Sequence, residues 1–328
     1  MNRVMLLGCG FSKAVGKAAG VPMPLTKDLI DLIKKTVSKK PIPNLRKVIP
    51  QLRRFKRSID IEEVYDLIDR SAKLKEHLWA GKNPHEPDPL LKEIRFAISS
   101  CLLEIHRFNY HALAKAAANM IKRVEPSAII TLNWDLITDV AVENSSSNII
   151  EGDAAADMYG FMPDARLSVD TKDNTLQYDA LADPIFDSFK LLKLHGSLSW
   201  FACRDSSHVT IINPKDAALV YKSDDFRCPQ DQSKLDPLIL PPSSAKDYSV
   251  HPFPTIWRRA LVELSNADEI IVYGCGIREA DFYLKDLLFK ARMRKEPKVK
   301  IEDPDYDGVK GRLADLVGYR DMSRWRDK

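Results

Sequence analysis

"VMLLGCGFSKAVGKAAGVPMP", residues 4–24, joins an apolar run ending at Leu7 to an Ala-rich helical pattern through Gly8 and Gly10. A strand–glycine–helix turn of this kind lets the backbone come close to a pyrophosphate, while the N–H groups at the helix start attract the anion. The same GxG spacing also serves as an ordinary strand-to-helix turn. Ser12 offers a hydroxyl to a phosphate or caps the helix, and Phe11 belongs to the same candidate cofactor loop. A third glycine at the dehydrogenase spacing is missing, since position 13 is Lys13, which weakens a hydride-transfer reading.

Five more short apolar runs resemble this first strand, at residues 128–132, 189–194, 238–240, 269–273 and 298–301. Apart from the more polar 298–301, these runs do not alternate with polar groups, as expected of parallel strands buried on both faces. Helical patterns follow several of them, at 26–35, 136–142 and 281–292. The expected fold is therefore α/β, a doubly wound Rossmann-like parallel sheet of about six strands. Two stretches interrupt the alternation within a single domain, 1–328. Residues 38–123 carry a Pro-bounded basic linker, the acidic pattern "IDIEEVYDLIDR" and a long helix from position 89 onward, a helical insertion. Residues 146–235 hold polar segments that read as loops and small hairpins, a small irregular insertion.

The chain has 328 residues, 45% of them apolar, enough for a sizeable core. Its 50 Lys plus Arg against 46 Asp plus Glu leave a net charge of +4, too evenly spread to argue for direct nucleic-acid binding. Cys9, Cys101, Cys203, Cys228 and Cys275 form no C-x-x-C pair, which suits a reducing cytosol and offers no zinc module, so no metal is expected. No apolar run approaches the ~20 residues of a membrane span. A cytoplasmic protein without a membrane partner is expected.

In open parallel sheets, ligands sit beyond the carboxyl ends of the strands. Three further strand ends carry polar residues there: "AIITLNWD" delivers Asn133 and Asp135, "KLLKLHGSLSW" delivers His195, and "EIIVYGCGIREADF" delivers Gly274, Cys275 and Gly276 ahead of Asp281. Asn133 and Asp135 also stand where an N-cap would, and a lone His195 would more often be a hydrogen-bonded core residue. Asp281 reads as a helix-start residue. Asp303, after the last run, matches by analogy the acidic residue that holds an adenosine ribose. Trp134 and Trp200 either wall a pocket or fill the core. His106 and His111, five apart, lack the spacing of a helical metal pair and receive no role.

In the order "GCGFS", "GVPMP", "TLNWD", "KLHGSLSW", "LILPP" and "YGCGIREADF", from Gly8 to Phe282, the chain resembles the sirtuin-like proteins. Within them it is similar to the bacterial NAD-hydrolysing branch found in antiphage defence. The resemblance implies NAD as substrate, with Asn133 and His195 as the catalytic pair. It also implies that Gly8, Gly10 and Ser12 form the dinucleotide-phosphate loop and that Gly274 with Cys275 makes a second phosphate or ribose contact. Cleavage of the nicotinamide–ribose bond develops positive charge on the sugar. A neutral amide can hold a water there without repelling that charge, and an imidazole can take a proton near neutral pH. The paired C-x-x-C motifs of protein-deacylating sirtuins are missing, and Met23 and Pro24 stand where those enzymes carry an acidic-aromatic-basic run. An NAD glycohydrolase is therefore expected ahead of a deacylase or ADP-ribosyltransferase, or of a module that binds NAD or ADP-ribose without turnover. Since unchecked NAD hydrolysis kills the host, the resemblance implies gating. That gating would come from a homo-oligomer or from a separate regulatory protein such as a translocase-type ATPase or an Argonaute-like partner.

Overall fold

The computed structural model describes all residues except 37–41, 56–58, 78–86, 145–157, 174, 180–188, 204–205, 207, 223–225, 229, 241–247, 279–280 and 326–328. The prolines of "LILPP" and part of the basic linker near position 40 lie outside the described residues. The strands are β1 (Arg3–Leu7), β2 (Ala128–Thr131), β3 (Ala165–Asp170), β4 (Thr175–Tyr178), β5 (Lys190–Lys193), β6 (Gly196–Cys203), β7 (Val209–Ile212), β8 (Leu235–Ile239), β9 (Glu269–Tyr273), β10 (Lys298–Glu302) and β11 (Met322–Arg324). The helices are α1 (Cys9–Ala19), α2 (Leu29–Thr36), α3 (Pro43–Phe55), α4 (Ile61–Lys73), α5 (Pro87–Lys122), α6 (Ile137–Asn144), α7 (Ala217–Lys222), α8 (Phe253–Asn266), α9 (Phe282–Arg292) and α10 (Tyr306–Arg312).

Six strands pair in parallel in the order β5-β2-β1-β9-β10-β11. Numbered by chain position within this sheet, that order is 3-2-1-4-5-6, the doubly wound arrangement. The order reverses between β1 and β9, so the ligand crevice belongs beyond Leu7 and Tyr273. Val4, Met5, Leu6 and Leu7 of β1 are fully buried, as are Ala128, Ile129 and Ile130 of β2, because helices cover both faces. Burying each of the Val, Leu, Ile and Met side chains among them contributes about 1.5–3 kcal/mol before chain entropy is counted.

The run at 238–240 does not join this sheet. It belongs to β8, which pairs antiparallel with β6 in a second sheet of order β4-β3-β7-β6-β8. A three-residue apolar run has no period to show which sheet it enters. The sixth parallel strand is β11, an edge strand whose Ser323 and Arg324 are exposed, so it carries no apolar signature. The polar stretch from 165 to 212 contains the hairpin β3–β4 and also β6 and β7, with a small core of its own around Leu167, Phe201, Ile212 and Phe226.

The described part of 38–123 is helical. Asp60 caps α4 by accepting from the Glu63 N–H at 2.9 Å, while Glu63 accepts from the Asp60 N–H, a reciprocal capping box. The 36-residue helix α5 packs on α1, α4 and α6. The apolar cluster of these helices takes in Leu136 and Val140 of the α6 segment and Leu198 of β6, so the insertion shares its core with the floor of the crevice. Among the described residues, no helix is long and apolar enough to cross a membrane.

Candidate active site

Four strand ends converge on one cavity. Gly8 follows β1, Asn133 follows β2, His195 follows β5, and Gly274, Cys275 and Gly276 follow β9; all of them line it, together with Ser12 and Asp135. Helix α4 contributes Glu62 to the wall, helix α5 Leu102, and the loop after β9 Arg278 and Asp281.

The two glycine loops meet each other rather than empty space. A Cβ on Gly8 would lie 2.5 Å from the Gly274 carbonyl oxygen, and one on Gly10 would lie 2.6 Å from the Gly274 Cα. The Gly8 N–H donates to the Tyr273 carbonyl at 3.1 Å and the Gly10 N–H to the Gly274 carbonyl at 3.0 Å. Glycine is thus demanded at 8 and 10 by β1–β9 loop packing, and two of the N–H groups expected to face phosphate are already engaged. Gly274 has φ +57 and abuts Gly10, whereas a Cβ on Gly276 would meet nothing within 4 Å. Gly276 is therefore the glycine that leaves room for a ligand.

Asn133 is oriented by a chain of hydrogen bonds. Its Nδ2 donates to the Gly8 carbonyl and to Ser12 Oγ, both at 2.9 Å, and Ser12 Oγ donates to Asp135 Oδ2 at 2.6 Å. A carbonyl only accepts, so the NH2 side must face Gly8 and Oδ1 is turned to the remaining side of the amide. Among the described residues nothing bonds to that Oδ1, and it is the acceptor Asn133 can offer a ligand. Ser12, buried and committed to Asp135, supports Asn133 in place of offering a free hydroxyl. Asp135 also caps α6 through Oδ1 and the Ile137 N–H at 3.1 Å.

A fully buried ion pair underlies this turn. Lys193 Nζ sits 2.5 Å from Asp139 Oδ2 and donates to the Asp135 carbonyl at 2.6 Å. Tyr159 Oη donates to Asp139 Oδ1 at 3.0 Å. The last member comes from the insertion: the Leu136 N–H donates to His106 Nε2 at 3.3 Å. Burial lowers the His106 pKa, so the ring stays neutral and can accept. His106 has no sequence signal, because its partner is a backbone group 30 residues away.

His195 is held at both nitrogens. Nδ1 lies 3.2 Å from the Leu132 carbonyl and Nε2 lies 3.1 Å from Tyr248 Oη. Gly196, which follows it, has φ +81, and a Cβ there would fall 2.2 Å from the Leu238 carbonyl oxygen. The chain leaves the parallel sheet for the second sheet at this point, and only glycine makes that turn against β8. Trp134 lines the cavity and its Nε1 donates to the Leu240 carbonyl at 2.9 Å.

Arg278 brings a positive charge to the cavity mouth, where its guanidinium pairs with Glu62. Burial raises the thiol pKa of both Cys9 and Cys275, the latter to about 12, so neither is a thiolate at neutral pH. Phe11 is buried edge-on against Tyr273 and packs the core. Asp303 lies beyond β10 outside the cavity wall, where its carboxylate accepts from the Asp305 N–H at 2.8 Å. Trp200 is buried against Tyr159 and Phe161, away from the cavity, and His111 is exposed. Cys203 and Cys228 do come together, with Asp231, their ligand atoms within 4.8 Å of one another. Among the described residues this group offers three donors, two buried thiols and one exposed carboxylate, where a structural zinc site uses four.

No family model and no curated protein matches the chain. Among solved structures it is similar to a Sir2 homologue mutant in complex with 2'-O-acetyl ADP ribose, at 15% identity over 99% of this chain and 87% of that one, TM-score 0.44. It is also similar to a Sir2 homologue in complex with NAD, at 17% identity over 99% and 84%, TM-score 0.42.

Proposed function

We propose that this chain is an NAD glycohydrolase that releases nicotinamide and leaves ADP-ribose. The observation that carries the reading is the placement of a neutral amide, Asn133, and an imidazole, His195, in the wall of the cavity at the β1–β9 switch point. A dinucleotide lying across that crevice would meet Gly276 and the Arg278 cation along its phosphates and the Asn133–His195 pair at one ribose.

Asn133 Oδ1 holds the attacking water or a ribose hydroxyl and places partial negative charge beside the developing oxocarbenium. The rigid chain from Asp135 through Ser12 fixes that oxygen before substrate arrives, so little reorganisation is needed in the transition state. His195 takes the proton that the water or hydroxyl loses. Nicotinamide leaves with the bonding electron pair as a neutral molecule.

The biological role proposed with this chemistry is depletion of NAD in antiphage defence, in the cytoplasm. Activity would be gated by self-assembly or by a partner, a translocase-type ATPase or an Argonaute-like protein. The test is nicotinamide release from NAD by purified protein, alone and with the proteins encoded beside it. ADP-ribose formed in step with nicotinamide supports hydrolysis; nicotinamide released only when an acyl-lysine peptide is added would make the chain a deacylase. Binding of NAD with no release under any of these conditions would make it a sensing module.

A further inference from the structure

Tyr248, which lies between β8 and α8, is outside every motif of the sequence, yet its phenol faces the reactive nitrogen of His195. The Leu132 carbonyl only accepts hydrogen bonds, so His195 Nδ1, 3.2 Å away, carries the ring proton and Nε2 carries the lone pair. Tyr248 Oη, 3.1 Å from Nε2, is then the donor. Burial holds the phenol pKa well above its ordinary value, so it remains a donor across the physiological range.

The ring is clamped edge-on by Trp257 at 4.6 Å and Tyr283 at 4.5 Å between centroids. Trp257 is itself tied to the site by its Nε1, which donates to the carbonyl of Leu194, the residue before His195, at 3.2 Å. The hydroxyl is therefore delivered to Nε2 by a built aromatic cluster. A proton reaching His195 at Nε2 must come through that oxygen or displace it.

We propose that Tyr248 is the proton relay between the attacking water and His195, and that it keeps the imidazole in its Nδ1–H tautomer until then. The inference rests on the NAD-cleavage reading above. In the step, nicotinamide departs with the electron pair of the glycosidic bond and the water oxygen bonds to the ribose carbon. The water proton passes to Tyr248 Oη, whose own proton moves to His195 Nε2. The resulting imidazolium later returns a proton to solvent. Phenol and imidazole end unchanged, and no other reagent is consumed.

Tyr248→Phe removes only the hydroxyl and keeps the ring between Trp257 and Tyr283, so the fold is retained. In nicotinamide release by the full chain under the conditions that activate it, kcat is expected to fall at least about tenfold, with KM within about twofold. A purely structural role predicts wild-type kcat for Tyr248→Phe and loss only in the packing-defective Tyr248→Ala; that result overturns the proposal. A second readout does not depend on turnover. In histidine-labelled wild-type protein, nitrogen NMR should show His195 as the Nδ1–H tautomer with a hydrogen-bonded Nε2, and Tyr248→Phe should lose the Nε2 perturbation. An Nε2–H tautomer in the wild type, or an Nε2 signal unmoved in the variant, overturns the relay even if NAD is cleaved. If wild-type protein cleaves no NAD while the NMR shift is seen, the glycohydrolase reading and the proton-transfer step built on it fail, and only the tautomer lock stands.

Discussion

His195 hangs from the backbone of the residue before Asn133: its Nδ1 lies 3.2 Å from the Leu132 carbonyl. The two side chains proposed to act on one ribose therefore share a single stretch of main chain, fixed by the Leu132 N–H bonding to the Leu7 carbonyl at 3.1 Å in the β1 layer. Their relative position is a property of the sheet, and changes elsewhere in the cavity should affect binding before they affect this pair.

Gly10→Val is expected to prevent stable folding rather than to weaken NAD binding alone. Its Cβ would meet main-chain atoms of Gly274 at 2.6 Å, which cannot step aside as a flexible side chain would. Gly276→Ala is the cleaner probe of ligand approach, because its Cβ has open space around it. Thermal melts should show Gly276→Ala near wild type, and calorimetry with ADP-ribose should show affinity down about tenfold, a cost near 1.4 kcal/mol. Unchanged affinity would move the phosphates away from Gly276.

Lys193→Met is expected to destabilise the fold by about 3–5 kcal/mol, since the fully buried Asp139 carboxylate would lose its counter-charge and keep only its hydroxyl donors. Denaturant unfolding measures it. A loss below 1 kcal/mol would mean that the pair does not hold the Asn133–Asp135 turn.

The strand ends are legible in the sequence because a parallel strand buried on both faces is a largely apolar run, and the glycine or polar residue that stops it marks the site. Gly8, Asn133, His195 and Gly274 were found in that way, and the cavity brings them together. What was hidden depends on partners remote in sequence. The glycines at 8 and 10 look like a phosphate loop in either case; only the β9 loop beside them shows that packing demands them. His106 and Tyr248 act through a backbone amide and an imidazole that no local pattern announces. Strand β11 leaves no mark in the sequence because an exposed edge needs no apolar residues, and 238–240 does not reveal its sheet because three residues carry no register.

Glu62→Gln is expected to tighten binding of NAD or ADP-ribose by up to about fivefold at low salt, because it frees the Arg278 guanidinium at the cavity mouth for the phosphates. The gain should vanish near 1 M salt, where such charges are screened within ~3 Å. Weaker binding at low salt would assign Glu62 a direct contact with the ligand.

Stability should also fall as pH rises from about 4.5 toward neutrality. Burial raises the Glu143 carboxyl from 4.5 to about 7 despite Arg166, 3.4 Å away. The folded state thus holds this proton more tightly than the unfolded chain does. The resulting stabilisation is complete below pH 4.5 and is lost by about pH 7, on the order of 1–3 kcal/mol across that window. Unfolding free energies of wild type and Glu143→Gln across this range check it: the variant should lack that part of the slope, and parallel curves would remove Glu143 as its source.

The most direct test of the account is nicotinamide release from NAD by wild type, Asn133→Ala, His195→Ala and the double variant, with thermal melts of each. Asn133→Ala gives up the bonds to Gly8 and Ser12 and should lose about 1–3 kcal/mol of stability while staying folded. Each single variant is expected to lose at least about a hundredfold in turnover, with the double variant hardly worse, because groups serving one transition state are not additive. A folded His195→Ala protein that cleaves NAD at the wild-type rate would contradict the account.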